Sequence, residues 1–307
     1  MLKKTLYALL ALFVILTVVM LTQVQEDIPF EQLKEKYTND ASRFIQIDDM
    51  QVHFRDEGEG APLVLLHGTG ASLHTWDGWV KELSSEFRII RMDLPAFGLT
   101  GPNKTHDYSI QNYVNFLDRF LTYLKVDSFY IAGNSLGGRI AWTYTLEFPT
   151  KVRKMILLDA AGYPSPGTPF VFRLAQIPLV NNVVRHITPR NLVEKSLLDV
   201  YADDSKVTPE LVERYYEFSL REGNREAFIA RAKTKFVDRT LELKSLQTPA
   251  LVLWGAEDKW TLVENAHRFE ADLPNARLIV YEDVGHVPME EIPRKTAIDA
   301  RAFLVNQ

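Results

Sequence analysis

The chain has 307 residues, 46% hydrophobic and 24% charged, with a net charge of −5, which fits one large α/β domain or one domain carrying an insertion. Acids and bases are interspersed without a basic stripe, which argues against nucleic acid as a partner. The absence of Cys excludes disulfides, a thiol nucleophile and thiolate metal sites.

At the N-terminus, Lys3 and Lys4 precede an uncharged apolar run over residues 5–22. These 18 residues would make about 27 Å of helix, close to a hydrocarbon core of about 30 Å. A cleaved signal peptide has a shorter apolar core and a small-x-small cleavage site, and residues 19–24 offer none. The sequence therefore reads as a transmembrane anchor over residues 1–22, with a secreted protein as the outcome if the segment is cleaved. Lysines before the run, with Glu26, Asp27 and Glu31 after it, set the N-terminus in the cytoplasm and the folded domain in the periplasm.

Residues 23–43 read as a polar linker or a short helix. Residues 44–57 alternate apolar and polar around Asp48-Asp49, the pattern of a hairpin. A regular series follows. Strands are predicted at 62–66, 87–92, 129–132 and 155–158, and helices at 76–83, 110–124 and 136–148. Ile110, Val114, Leu117, Leu121 and Leu124 recur at helical spacing. Such alternation implies an α/β fold with a mostly parallel central sheet flanked by helices.

The alternation stops over residues 163–246. Pro164, Pro166 and Pro169 open this stretch, and helical patterns follow at 190–201 and 209–221. The second helix has Thr208 as N-cap and Pro209 at its first position. Strand patterns resume at 250–253 and 277–281, and a last helix covers 292–305. The expected core is 44–162 with 247–307. The insert 163–246 reads as a helical cap over the carboxyl ends of the strands, where open α/β sheets carry their sites; the other reading is a second domain with its own role.

Gly133-Asn134-Ser135-Leu136-Gly137 matches G-x-S-x-G, the sharp strand-to-helix turn that exposes a nucleophilic serine. Its flanks supply the strand and the helix. Side chains at 133 and 137 would collide with those neighbours. The bland alternative is an ordinary βα turn with a capping serine.

A serine hydroxyl needs a base, and the base needs an acid to fix its tautomer. In enzymes with this turn the chain order is Ser, acid, His. Asp258 follows the strand ending Trp254-Gly255, and His286 follows the strand ending at Tyr281. Asp159, at the end of the preceding strand, is the rival acid. His53, His74 and His106 precede the serine, His186 lies in the insert, and His267 belongs to a solvent-facing helix. The oxyanion needs preorganised N–H donors. Those of Leu136 and of Thr69, in the loop His67-Gly68-Thr69-Gly70, fit the roles. His67 is expected to order that loop by hydrogen bonding.

With these motifs the chain resembles the α/β-hydrolase family over about residues 44–305. Asp93-Leu94-Pro95-Ala96-Phe97-Gly98-Leu99-Thr100 is similar to that family's D-x-P-G-x-G-x-S loop, with Ala96 and Thr100 as departures. Trp254-Gly255-Ala256-Glu257-Asp258 resembles W-G-x-x-D, and Gly285-His286 with Pro288, Glu290 and Pro293 resembles the histidine loop. The resemblance implies a serine hydrolase of the esterase or lipase type, acting on a small hydrophobic ester with no cofactor and no metal. Ser135 argues against dehalogenases and epoxide hydrolases, whose nucleophile is Asp. Hydrolases of meta-cleavage products share G-N-S-x-G-G and cleave carbon–carbon bonds; they are the alternative. A non-catalytic binding member is a third reading.

Overall fold

The computed structural model describes residues 24–164, 170–177, 180, 183 and 185–305. Ser42–Ile47 (β1) and Met50–Glu57 (β2) form the antiparallel hairpin, with Ile45 opposite Val52 and Asp48 at φ 51 in the turn. Ala61–Leu66 (β3), Phe87–Met92 (β4), Phe129–Asn134 (β5), Val152–Leu158 (β6), Ala250–Gly255 (β7) and Ala276–Tyr281 (β8) complete one eight-stranded sheet. Its order is β1-β2-β4-β3-β5-β6-β7-β8. β2 pairs antiparallel with β1 and β4, and every other pairing is parallel.

The central strands read as continuous apolar runs because both faces are covered. Val64, Leu66, Ile131, Leu157 and Val252 pack on one face against the helices Ile110–Tyr123 and Leu136–Glu147. Leu63, Leu65, Tyr130, Ile156 and Leu251 pack on the other, against Asp77–Leu83 and Pro293–Val305. Alternate residues of one strand thus feed two cores, as a period of two requires. The chain is therefore an α/β protein with a mostly parallel sheet flanked by helices.

Local chemistry sets the helix starts. Ser109 accepts a hydrogen bond from Asn112 N–H, and Thr208 from Leu211 N–H. The stretch read as a linker or short helix contains a helix, Phe30–Tyr37, whose Leu33 is buried with Leu99 and Phe218. Between β6 and β7 the regular elements among the described residues are helices, apart from a single bridge of Arg221 to Ile28.

The expected membrane-anchored, periplasmic placement is overturned. Among the described residues no helix is long and apolar enough to cross a membrane. Their longest helix, Ile110–Tyr123, has 14 residues, about 21 Å against the roughly 30 Å required, and its apolar face is spent on the core. The proposed anchor over residues 1–22, and with it the membrane as a partner, lies outside the described residues.

Candidate active site

Six loops converge at the carboxyl ends of the strands, those after β3, β4, β5, β6, β7 and β8. Ser135 sits between β5 and the helix Leu136–Glu147 with φ 53 and ψ −113, a strained backbone for a residue with a side chain. Packing holds it there. Its N–H donates to Leu158 O (3.1 Å), and its carbonyl accepts from Ala161 N–H (3.0 Å) and Arg139 N–H (3.0 Å). Strand and helix approach so closely that a Cβ on Gly137 would lie 2.1 Å from Leu66 O, and one on Gly133 would lie 2.3 Å from Gly137 C.

His286 Nδ1 lies 2.7 Å from Asp258 Oδ2. A carboxylate oxygen only accepts, so the nitrogen facing it, Nδ1, carries a proton, and Nε2 is the ring nitrogen left free of this contact. Asp258 is tightly held. Its Oδ1 accepts from Trp260 N–H (2.7 Å) and Thr261 N–H (2.9 Å), and the Thr261 hydroxyl donates to Oδ2. Burial raises the Asp258 carboxyl, but His286 and the Thr261 donors outweigh it and hold the group below its ordinary range. The histidine loop is fixed through its backbone: His286 N–H donates to Val200 O (2.7 Å), and Asn134 Nδ2 donates to His286 O (2.9 Å). The Trp260 ring lies against the imidazole with centroids 5.7 Å apart.

The loop after β3 is ordered by His67. Leu94 N–H donates to its Nε2 (2.9 Å), so the proton is on Nδ1, which donates to Gly68 O (2.7 Å). Burial pushes this imidazole below its usual range, against the pull of Asp93, which keeps it neutral. Thr69 borders the same cavity as Ser135. Leu136 opens its helix, where first-turn N–H groups have no partner within the helix.

The other histidines lie elsewhere. His53 pairs with Asp93 at 2.8 Å in a buried hub that also accepts N–H groups from Leu73 and Leu99. Burial drives His74 down to about 3. His106, His186 and His267 are exposed. Asp159, the rival acid, is buried beside Asp258 rather than on the imidazole nitrogen that Asp258 occupies. Sequence reasoning missed Asn134, Trp260 and Thr261. The only signal available was their proximity to Ser135 and Asp258 in the chain.

Ser135 and His286 border one cavity of about 200 Å³, lined mostly by apolar side chains. Phe97 and Val287 come from the strand-end loops; Phe172, Leu197, Phe218 and Phe228 come from the helical segment between β6 and β7.

A profile of the alpha/beta hydrolase fold matches residues 61–293. The chain belongs to the α/β-hydrolase family. Among its relatives, the uncharacterised hydrolase YugF of Bacillus subtilis (strain 168) is 30% identical over 247 residues, 78% of this chain and 88% of that protein. The 2-hydroxy-6-oxononadienedioate/2-hydroxy-6-oxononatrienedioate hydrolase 2 of Pseudomonas putida is 30% identical over 261 residues, 80% of this chain and 90% of that one. Among solved structures, a bacterial membrane phospholipase A described as a virulence factor matches with a TM-score of 0.76 at 25% identity, covering 99% of this chain and 98% of that chain. The family and these relatives support an α/β-hydrolase enzyme acting on a small molecule.

Proposed function

We propose that the protein is a serine hydrolase that cleaves carboxylic esters with an apolar acyl group. The observation that carries this reading is the cavity: a strained serine and a histidine share a chamber whose walls are mostly apolar. Such walls suit a hydrocarbon chain and offer few polar partners to a charged substrate. Likeness to a membrane phospholipase A along nearly the whole chain supports acyl esters as the substrate class.

In this mechanism Ser135 Oγ attacks the ester carbonyl while His286 Nε2 takes its proton. Asp258 holds the imidazolium. The N–H groups of Leu136 and Thr69 stabilise the tetrahedral oxyanion. His286 then protonates the leaving alcohol, the carbon–oxygen bond breaks, and an acyl group remains on Ser135. Water, deprotonated by His286, attacks the acyl carbon and releases the acid.

The second reading is hydrolysis of a carbon–carbon bond in a vinylogous diketone, supported by 30% identity to the P. putida hydrolase. Assays of p-nitrophenyl esters from acetate to palmitate beside a ring-fission product separate the two. Ester turnover is expected, with a preference for longer acyl chains. Exclusive turnover of the ring-fission product overturns the ester reading. Ser135→Ala should lower turnover by on the order of 10⁶. Failure of Ser135 to label with an organophosphonate would favour a non-catalytic binding protein.

A further inference from the structure

The mechanism leaves Asp159 unused, although this residue is fully buried (0% exposed) next to the Asp258–His286 pair. It follows β6 with φ 44, a left-handed backbone that Asp and Asn tolerate better than other residues with side chains. Asp159 Oδ1 accepts Gly255 N–H at 3.0 Å, and its carbonyl oxygen lies 3.1 Å from the Thr261 hydroxyl, whose single proton goes to Asp258 Oδ2. Its Oδ2 is buried and has no hydrogen-bond donor. An ionised carboxylate with an unpaired, buried oxygen carries a large desolvation cost.

Asp159 and Asp258 are buried side by side. One oxygen from each, together with a ring nitrogen of His286, lie within 4.8 Å of one another. When two carboxylates share a buried site, one of them is strongly disfavoured as the ion. Asp258 faces His286 and three donors from Trp260 and Thr261, so Asp258 keeps the negative charge. The other titratable groups acting on Asp159 are Glu291 and Tyr281. Burial and then the Asp258 charge push the Asp159 carboxyl well above its ordinary range, with Glu291 adding to the effect and Gly255 N–H opposing it.

We propose that Asp159 is a positioning residue of the triad: its carboxyl carries a proton and donates a hydrogen bond to Asp258. This accounts for the bare Oδ2, because a protonated oxygen is a donor and Asp258 is its acceptor. The bond orients Asp258 toward His286 and draws off part of its negative charge. The inference rests on the reading of Asp258 and His286 as catalytic partners.

Asp159→Asn and Asp159→Ala test it together. In Asp159→Asn the amide oxygen must face Gly255 N–H, so the NH₂ group faces Asp258 and the donor survives. Asp159→Ala removes it. The alanine variant should lose about tenfold or more in kcat on a p-nitrophenyl ester, the scale of a lost hydrogen bond to a charged group, with KM little changed. Without the donor Asp258 holds more charge and favours the imidazolium, so the acidic limb of kcat/KM should move to higher pH. The asparagine variant should recover most of kcat and the original limb. Equal kcat losses and equal limbs in the two variants would overturn the proposal. A second readout needs no substrate and so separates failure here from failure of the ester reading. The infrared difference between the unaltered protein and Asp159→Asn at neutral pH should contain the C=O stretch of a protonated carboxylic acid. A carboxylate stretch alone would sink the idea.

Discussion

At Ser135 the backbone bears the cost of exposing a hydroxyl, and Gly137 makes that conformation possible. Gly137→Ala would push a methyl into Leu66 O and Leu66 C at 2.1 and 2.5 Å. Both are backbone atoms of a central strand and cannot rotate away. The loss of stability is expected at the upper end of the about 1–3 kcal/mol typical of overpacking, measurable by urea unfolding. The adjacent carboxyls Asp159 and Asp258 titrate in opposite senses. The Asp258 carboxyl is depressed in the folded protein, so its stabilisation is present above the unfolded carboxylate range near 3.9 and is lost as pH falls through its folded value. The Asp159 carboxyl is raised, so the folded state holds a proton that the unfolded state releases, and stability falls as pH rises above about 3.9. Asp159→Asn removes only the second effect. Its stability relative to the unaltered protein should therefore rise with pH, by at most about 1.4 kcal/mol per unit for one proton. Chemical denaturation at pH 5 and pH 8 checks the sign; a gap that does not change with pH contradicts it.

At the scale of elements, Glu290 and Glu291 join the histidine loop to the helical segment. The Tyr201 and Tyr215 hydroxyls both donate to Glu290, at 3.0 and 2.9 Å, and so does the Thr75 hydroxyl from the core. Glu291 Oε1 accepts Gly285 N–H at 2.6 Å, while Oε2 accepts Ala202 N–H and Asp203 N–H at 3.1 and 3.3 Å. Both oxygens accept from backbone N–H groups, a pattern that a side-chain amide, with one oxygen and one NH₂, cannot match. In Glu291→Gln the amide NH₂ must oppose one side of this clasp and strand a buried donor, at a cost of about 1–3 kcal/mol. Because Gly285 precedes His286, and His286 N–H is bonded to Val200 O, kcat should fall as well. Stopped-flow ester hydrolysis beside a thermal melt measures both, and an unchanged melt would show that the clasp carries no stability. Of the two, only Glu290 was read from the sequence, as part of a histidine-loop pattern. Their partners lie 75 to 89 positions away for Tyr215, Tyr201 and Ala202, beyond the reach of local patterning.

For the molecule as a whole, the cavity is where core and helical segment meet. Val193 lies on the helix Arg190–Val200 and lines it. Val193→Phe should shorten the preferred acyl chain while leaving acetate turnover within about threefold, since a few methylenes in an apolar pocket are worth only about 1–3 kcal/mol. A p-nitrophenyl ester series reads this directly, and an unchanged chain-length profile would remove Val193 from the acyl path.

Much of the fold was legible because strand, turn and helix signals are local. Continuous apolar runs marked β3, β5, β6 and β7; Thr208 with Pro209 marked a helix start; and G-x-S-x-G marked the turn at Ser135. Chain order put Asp258 and His286 on loops at one edge of the sheet, and they meet there at 2.7 Å. The apolar run near the N-terminus gave a membrane placement that the described helices do not support, since the apolar faces in those helices cover the sheet.

The sequence by itself determined the element series, the family and the residue types available for chemistry, because each depends on neighbours in the chain. Only the tertiary structure decided which carboxyl takes His286, that Asp159 lies beside it with a bare buried oxygen, and which side chains wall the cavity. Those follow from which strand ends converge and which helices share the cavity with them, and distance in space is not written in distance along the chain.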